Sequence, residues 1–253
     1  MSYNPHIMRL MIQLKVQPTP EQSDALRRTL VRANEACDYI STIAWETKTF
    51  RQFAIHKLCY AAVRETFEVA AQMAVRCISK VADAYKLDTT RQRTFAPLGT
   101  IAYDDRILYF NRAKQEISIW TVDGRQAMPF VCGERQRALL HAQRGETDLA
   151  LVNGEWYLFA VCEVETPEPI DVEGVLGIDM GVTNSAVDSD GEIHSGKEIT
   201  NIRYRHRSLR KKLQRKRTHG ARRRLKHLAG QEYRFATWVN HNLSKRIVAK
   251  AEG

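Results

Sequence analysis

Gly177-Ile178-Asp179-Met180-Gly181-Val182-Thr183-Asn184 is the stretch whose residue types are best suited to chemistry. An apolar run over residues 175–178 reads as a strand, and it ends on a carboxylate flanked by two glycines. A carboxylate at a strand end can hold a hard cation, and glycine lets a phosphate or another backbone approach closely. The plainer role for Asp179 is to cap the turn that follows the strand. A second feature is the charge distribution. Residues 197–253 carry eighteen Lys/Arg against three Asp/Glu, and residues 1–196 sum to −5, so the net charge of +10 comes from one end of the chain. A salt-bridged helical face needs alternating acids, and here they are nearly absent. The block therefore reads as a footprint for a polyanion. Its candidate nucleic-acid-binding residues are Arg203, Arg205, Arg207, Arg210, Lys211, Lys212, Arg215, Lys216, Arg217, Arg222, Arg223, Arg224 and Lys226.

Composition excludes several other classes. Cys37, Cys59, Cys77, Cys132 and Cys162 are scattered and never form a CxxC pair, which argues against a disulfide framework and against a zinc site within these residues. The histidines lack metal-site spacing, and His219 and His227 sit among arginines that would repel a cation. No run approaches the length of a membrane helix, and the first residues lack the basic start and apolar stretch of a signal peptide. The expectation is a cytoplasmic protein with no membrane partner.

The elements that must position these residues can be read from periodicity. Alternation over residues 6–16 predicts a strand. Thr19, Pro20 and Gln22 predict a helix start with a capping box, and helical spacing continues through Leu26, Leu30, Ala33, Cys37 and Ile40. Further helices are predicted over residues 53–60 and 61–85. Hairpins follow over 101–110, turning at Asp104-Asp105, over 116–131 with an Asp123-Gly124 turn, and over 149–165 with an Asn153-Gly154 turn. These short strands predict a small β-barrel that the first strand joins across the helical insertion. Thr166-Pro167-Glu168-Pro169 reads as a stiff linker. Beyond it the apolar strand ending at Asp179 pairs back with residues 182–187, and a basic helical stretch runs from about 201 to 228 with Gly220 as its interruption. A final helix over 232–251 carries Phe235, Val239, Leu243 and Ile247 on one stripe, with Gly253 at its C-cap. Asp188, Asp190 and Glu192 are expected to face solvent around the Ser189-Asp190-Gly191 turn.

Two functional classes use a string close to the one around Asp179. Ribonuclease-H-like nucleases hold magnesium with the first-strand aspartate, and actin-like ATPases, including the Hsp70 chaperones, wrap ATP phosphates with a similar loop. The ATPases need far more chain behind the loop and a second glycine-rich phosphate loop, whereas a basic helical block follows here.

Several further segments resemble the transposon-encoded TnpB (OrfB) family of RNA-guided DNA nucleases, relatives of the type V CRISPR effectors. They are Pro18-Thr19-Pro20-Glu21-Gln22, Arg32-Ala33-Asn34-Glu35-Ala36-Cys37-Asp38, Gly145-Glu146-Thr147-Asp148-Leu149 and Gly154-Glu155-Trp156-Tyr157-Leu158. The match continues through the Asp179 motif, Asp188-Ser189-Asp190-Gly191, the arginine-rich stretch 210–226 and Leu243-Ser244-Lys245-Arg246-Ile247-Val248. It spans the chain in order.

The resemblance implies an α+β multidomain protein. Residues 1–18 and 88–166 would form a small β-barrel (wedge) domain, and residues 19–87 an inserted helical recognition domain. Residues 170–253 would begin an incomplete ribonuclease-H-like RuvC nuclease domain. It implies guide RNA from the transposon end and target DNA as partners, recognised by backbone rather than sequence. It makes Asp179 the first catalytic and metal-binding carboxylate of a magnesium-dependent endonuclease and transposase-associated protein. Two-metal cleavage needs several converging carboxylates. The family supplies the others, together with a zinc element, from later segments, so the chain is expected to be truncated within the RuvC domain. It is expected to bind magnesium weakly and not to cleave alone. The same features fit a nuclease-dead RNA-guided DNA-binding regulator, and self-association through the incomplete RuvC domain is a further expectation.

Overall fold

The computed structural model describes residues 7–166 and 174–251 and divides into two compact units, Met1–Glu168 and Pro169–Gly253. The expected linker at 167–169, the strand start at His6 and the C-cap at Gly253 lie outside the described residues.

In the first unit, β1 (Ile7–Val16) sends Ile12, Leu14 and Val16 into the core, as its alternation predicts. It pairs along its whole length with β7 (Glu155–Glu165), from Ile7 opposite Glu165 to Val16 opposite Trp156. At its end it also pairs with β5 (Gly124–Val131). With β2 (Ile101–Tyr103), β3 (Leu108–Asn111), β4 (Glu116–Thr121) and β6 (Gln143–Val152), these strands make a seven-stranded antiparallel sheet ordered β2-β6-β7-β1-β5-β4-β3. The sheet is nearly closed into a barrel. The hairpins β4–β5 and β6–β7 form as expected. Asn153 and Gly154 both take left-handed φ, 53° and 87°, which a two-residue hairpin turn requires.

The hairpin expected over 101–110 does not form. β2 pairs with β6 and β3 with β4, so the two strands sit at opposite ends of the sheet. The turn between them is instead anchored through Asp104, whose carbonyl accepts the N–H groups of Ile107 and Leu108. Its carboxylate takes Gln72 and lies 3.9 Å from Arg76. Both partners belong to α3 (Ala71–Leu87).

Three helices pack on this sheet. Thr19 caps α1 (Pro20–Glu46) through the expected reciprocal bonds with Gln22. The break expected after Tyr60 is absent, because Ile55, Cys59 and Val63 continue one buried stripe along α2 (Gln52–Phe67). The helix ends only where Glu68 turns left-handed, with φ of 50°. Leu30, Ile40 and Ile78 share one apolar core with Ile12, Leu14, Ile101 and Leu158, so the helices and the sheet are one packed body. A six-residue helix, α4 (Glu134–Leu139), precedes β6 and carried no sequence signal.

The second unit has a three-stranded antiparallel sheet of β8 (Ile178–Asp179), β9 (Asn184–Asp188) and β10 (Ile193–Ser195), ordered β10-β9-β8. β8 is shorter than its apolar sequence predicts. Gly177 is still tied to Ser189, its carbonyl accepting the Ser189 N–H at 2.9 Å and its own N–H donating to the Ser189 hydroxyl at 3.1 Å, but Val175 before it is 96% exposed. Two helices follow, α5 (Lys197–Lys216) and α6 (His219–Ala251). The break falls at Arg217, left-handed with φ of 48°, rather than at Gly220. Thr218 then starts α6, its hydroxyl accepting the Ala221 N–H and its carbonyl that of Arg222. Gly220 and Gly230 lie inside one continuous helix.

Candidate nucleic-acid interface and acidic cluster

Helix α5 has one apolar seam and otherwise presents charge. Leu213 is buried and Leu209 half-buried, and α6 meets them with buried Ala221 and Leu228. This seam makes α5 and α6 neighbours and leaves the remaining positions to water. All the cations singled out from the sequence, from Arg203 to Lys226, are exposed. Among the described residues only Arg210 has an acidic partner, Glu232, which also lies 3.2 Å from His206 Nδ1. A groove of about 490 Å³ runs between the helices, and Arg203, Arg207 and Arg210 line it at one-turn intervals beside Phe235. Such an array of exposed cations, all but Arg210 without an acidic partner among the described residues, can neutralise successive phosphates of a nucleic acid backbone.

Asp179 is exposed. The register places it opposite Val187, and places Ile178 opposite Asp188. Opposed residues share a face of the sheet and successive residues alternate, so Asp179 and Asp188 lie on opposite faces. The one group of possible metal ligands among the described residues, Asp188, Glu192 and His194, does not include Asp179. A single exposed carboxylate does not make a two-metal site, and no cleavage step follows from it. Gly181 has a local reason. A Cβ there would lie 3.0 Å from the Asn184 carbonyl, so the close packing of the loop on itself favours glycine, whereas a Cβ on Gly177 would meet only ordinary contacts.

Asp188 departs most from the sequence reading. It is buried, whereas Asp190 and Glu192 are exposed as expected. Its Oδ1 accepts the backbone N–H groups of Asp190 at 3.1 Å and Glu192 at 2.8 Å. Its Oδ2 accepts from the Lys250 ammonium, near the end of α6. Lys250 also reaches Asp190 at 3.1 Å and Glu192 at 3.4 Å. The bond from Lys250 holds the Asp188 carboxyl below the ordinary carboxylate range, against the opposing effect of desolvation. The same bond raises the Lys250 ammonium above its ordinary value. The sequence carried no signal for this cluster, because Lys250 is 62 residues from Asp188.

Compared with known proteins, the chain matches no protein-family model and no curated protein.

Proposed function

We propose that this chain is the nucleic-acid-binding part of a TnpB-like RNA-guided DNA endonuclease, holding guide RNA and target DNA by their backbones. The observation that carries this reading is the α5–α6 pair, with exposed cations along both helices and a single acidic partner, Glu232, among the described residues. The order of motifs along the sequence supports the family, and the barrel-like sheet with packed helices is compatible with its wedge and recognition parts. In the complete enzyme Asp179 would be the first of the carboxylates that hold magnesium, which then supplies charge stabilisation for phosphodiester cleavage. By itself this carboxylate binds the ion weakly, so the chain binds without cutting. The same isolation of Asp179 favours, as a second reading, a guided binder that occupies DNA and acts as a regulator.

Co-expression with the transcript that flanks its gene tests the proposal. A defined RNA should co-purify and survive a high-salt wash. Duplex DNA should also bind, with log K falling by about 0.9 per neutralised phosphate as log salt rises. Only heterogeneous RNA that salt removes would overturn guided binding, and magnesium-dependent cutting by the purified chain would overturn its inactivity.

A further inference from the structure

Three carboxylates share one ammonium in the turn after β9. Asp188, Asp190 and Glu192 all reach Lys250 Nζ, which leaves the group with two negative charges in excess. Beside them stands His194, whose side chain is only 9% exposed. Its Nε2 lies 3.9 Å from Glu192 Oε1, too far for a hydrogen bond, and the ring has no other partner among the described residues. The register explains why it points here. His194 lies opposite Ala186, and Ala186 shares its sheet face with Asp188 two residues on. One oxygen of Asp188, one of Glu192 and an imidazole nitrogen come within 4.8 Å of one another.

An excess of like charge is costly, and the half-buried His194 imidazole stands beside it with no hydrogen-bond partner among the described residues. One cation offsets the charge and gives the imidazole a partner. We propose that Asp188, Glu192 and His194 form a site for a divalent transition ion, Zn²⁺ or Mn²⁺, and that the Lys250 ammonium is its exchangeable occupant. Two carboxylates and an imidazole suit these ions better than Mg²⁺ or Ca²⁺, which favour shells of oxygen alone. Asp188 is already prepared as a ligand. Its Oδ1 is fixed by two backbone N–H groups, so Oδ2 is left for the cation. Ligand atoms about 2.1 Å from an ion stand about 3.4 Å apart in a tetrahedron, so the site must contract. The exposed side chain of Glu192 can supply that movement, and Asp190 is at hand as a fourth ligand. Lys250 leaves on its flexible stem, and the last turn of α6 loses its tie to the β9–β10 turn. Metal binding and the order of the α6 end are thus in competition. This site does not depend on the nucleic-acid reading.

Calorimetric titration of the whole chain with MnCl₂, ZnCl₂ and MgCl₂ tests it. Mn²⁺ is the decisive probe because thiolates hold it poorly, so the free cysteines do not confuse the result. The chain should take up one Mn²⁺. His194→Asn should weaken that binding tenfold or more, and Lys250→Met should tighten it tenfold or more. No uptake by either the wild type or Lys250→Met would sink the site. So would an affinity that His194→Asn leaves unmoved, and uptake by Lys250→Met alone would make Lys250 a permanent counter-ion and end the exchange. Should Lys250→Met fail to fold, hydrogen exchange over residues 245–251 of the wild type decides the matter. Mn²⁺ should speed it, and unchanged exchange with Mn²⁺ bound would refute the release.

Discussion

Asp188 favours the folded state wherever its folded-state carboxyl gives up its proton more readily than the unfolded one does. Its pKa is depressed by Lys250, so this contribution is complete above the ordinary carboxylate value, about 3.9, and is lost as pH falls below it. Lys250 is raised, so its contribution is complete below about 10.4 and is lost only as pH rises beyond that value. Lys250→Met leaves a buried carboxylate with two backbone donors and no cation. The difference in urea midpoint between wild type and variant should therefore be larger at pH 7 than at pH 3, and an equal difference at both would refute the latch. In the first unit the comparable residue is Asn34, which is fully buried. Its Nδ2 donates to the carbonyls of Leu30 at 2.8 Å and Gly99 at 2.9 Å, and its Oδ1 accepts from Lys80 at 2.6 Å. Asn34→Leu takes one of two partners from the Lys80 ammonium, which keeps the Thr100 carbonyl at 2.8 Å, and removes the donor to the half-buried Gly99 carbonyl, so it should lower the unfolding free energy by roughly 1–3 kcal/mol in urea denaturation. The sequence showed where these residues are but not what they do. Asn34 and Asp38 belong to a run that carries the family resemblance. Their structural task is to bind the returning segment, with Asp38 accepting the Phe95 N–H 57 residues on. Partners so far along the chain leave no periodicity to read.

Elements were legible where their causes are local. The Thr19 capping box, the Asn153-Gly154 turn and the alternation of β1 each depend on a few adjacent residues, and each is found. The 101–110 hairpin was misread because its turn residue, Asp104, is engaged by Gln72 and Arg76 from a helix 28 to 32 residues earlier. The helix break at 217–218 was misread for a different reason. Glycine is the usual helix breaker, yet the left-handed residue is Arg217, where the side chain costs about 1 kcal/mol. Arg217→Gly should therefore raise the stability of the second unit by about that amount. Gly220 has nothing within 4 Å of an added Cβ and lies in helical backbone, so Gly220→Ala should also stabilise, by roughly 0.5 kcal/mol. A destabilising Gly220→Ala, read by thermal unfolding, would put the break back at Gly220. The cations of α5 make a separate prediction. Replacing Lys211, Lys212 and Arg215 together by Gln should reduce the slope of log K against log salt by up to about 2.7 on duplex DNA, with little change in helicity. An unchanged slope would remove this part of α5 from the interface.

At the scale of the whole molecule, the two units differ in both core and charge. The first buries a continuous core drawn from its sheet and three long helices. In the second, the buried apolar residues among those described are Ala186, Leu213, Ala221 and Leu228, while Val182, Tyr233 and Trp238 are largely exposed. So small a core supplies little apolar burial to offset the conformational entropy of two long helices, and the clustered cations repel one another. Salt that screens this repulsion should also promote the self-association expected from the sequence for residues 170–253, through exposed apolar residues. Unfolding of dilute protein followed by calorimetry at low salt should show two transitions, the lower one belonging to the second unit. A polyanion that binds only the folded form stabilises it by RT ln(1 + [L]/Kd), about 2.7 kcal/mol at a hundredfold excess over Kd. Added duplex DNA should therefore raise the lower transition and leave the upper one nearly fixed, and 0.5 M salt should abolish that rise. Were one transition seen, moving as a whole with DNA, the units would be energetically one body and the division of core from charge would carry no functional meaning. Were the upper transition alone to move, the cations of α5 and α6 would not be the interface, and the binding surface would have to be sought on the barrel and its helices.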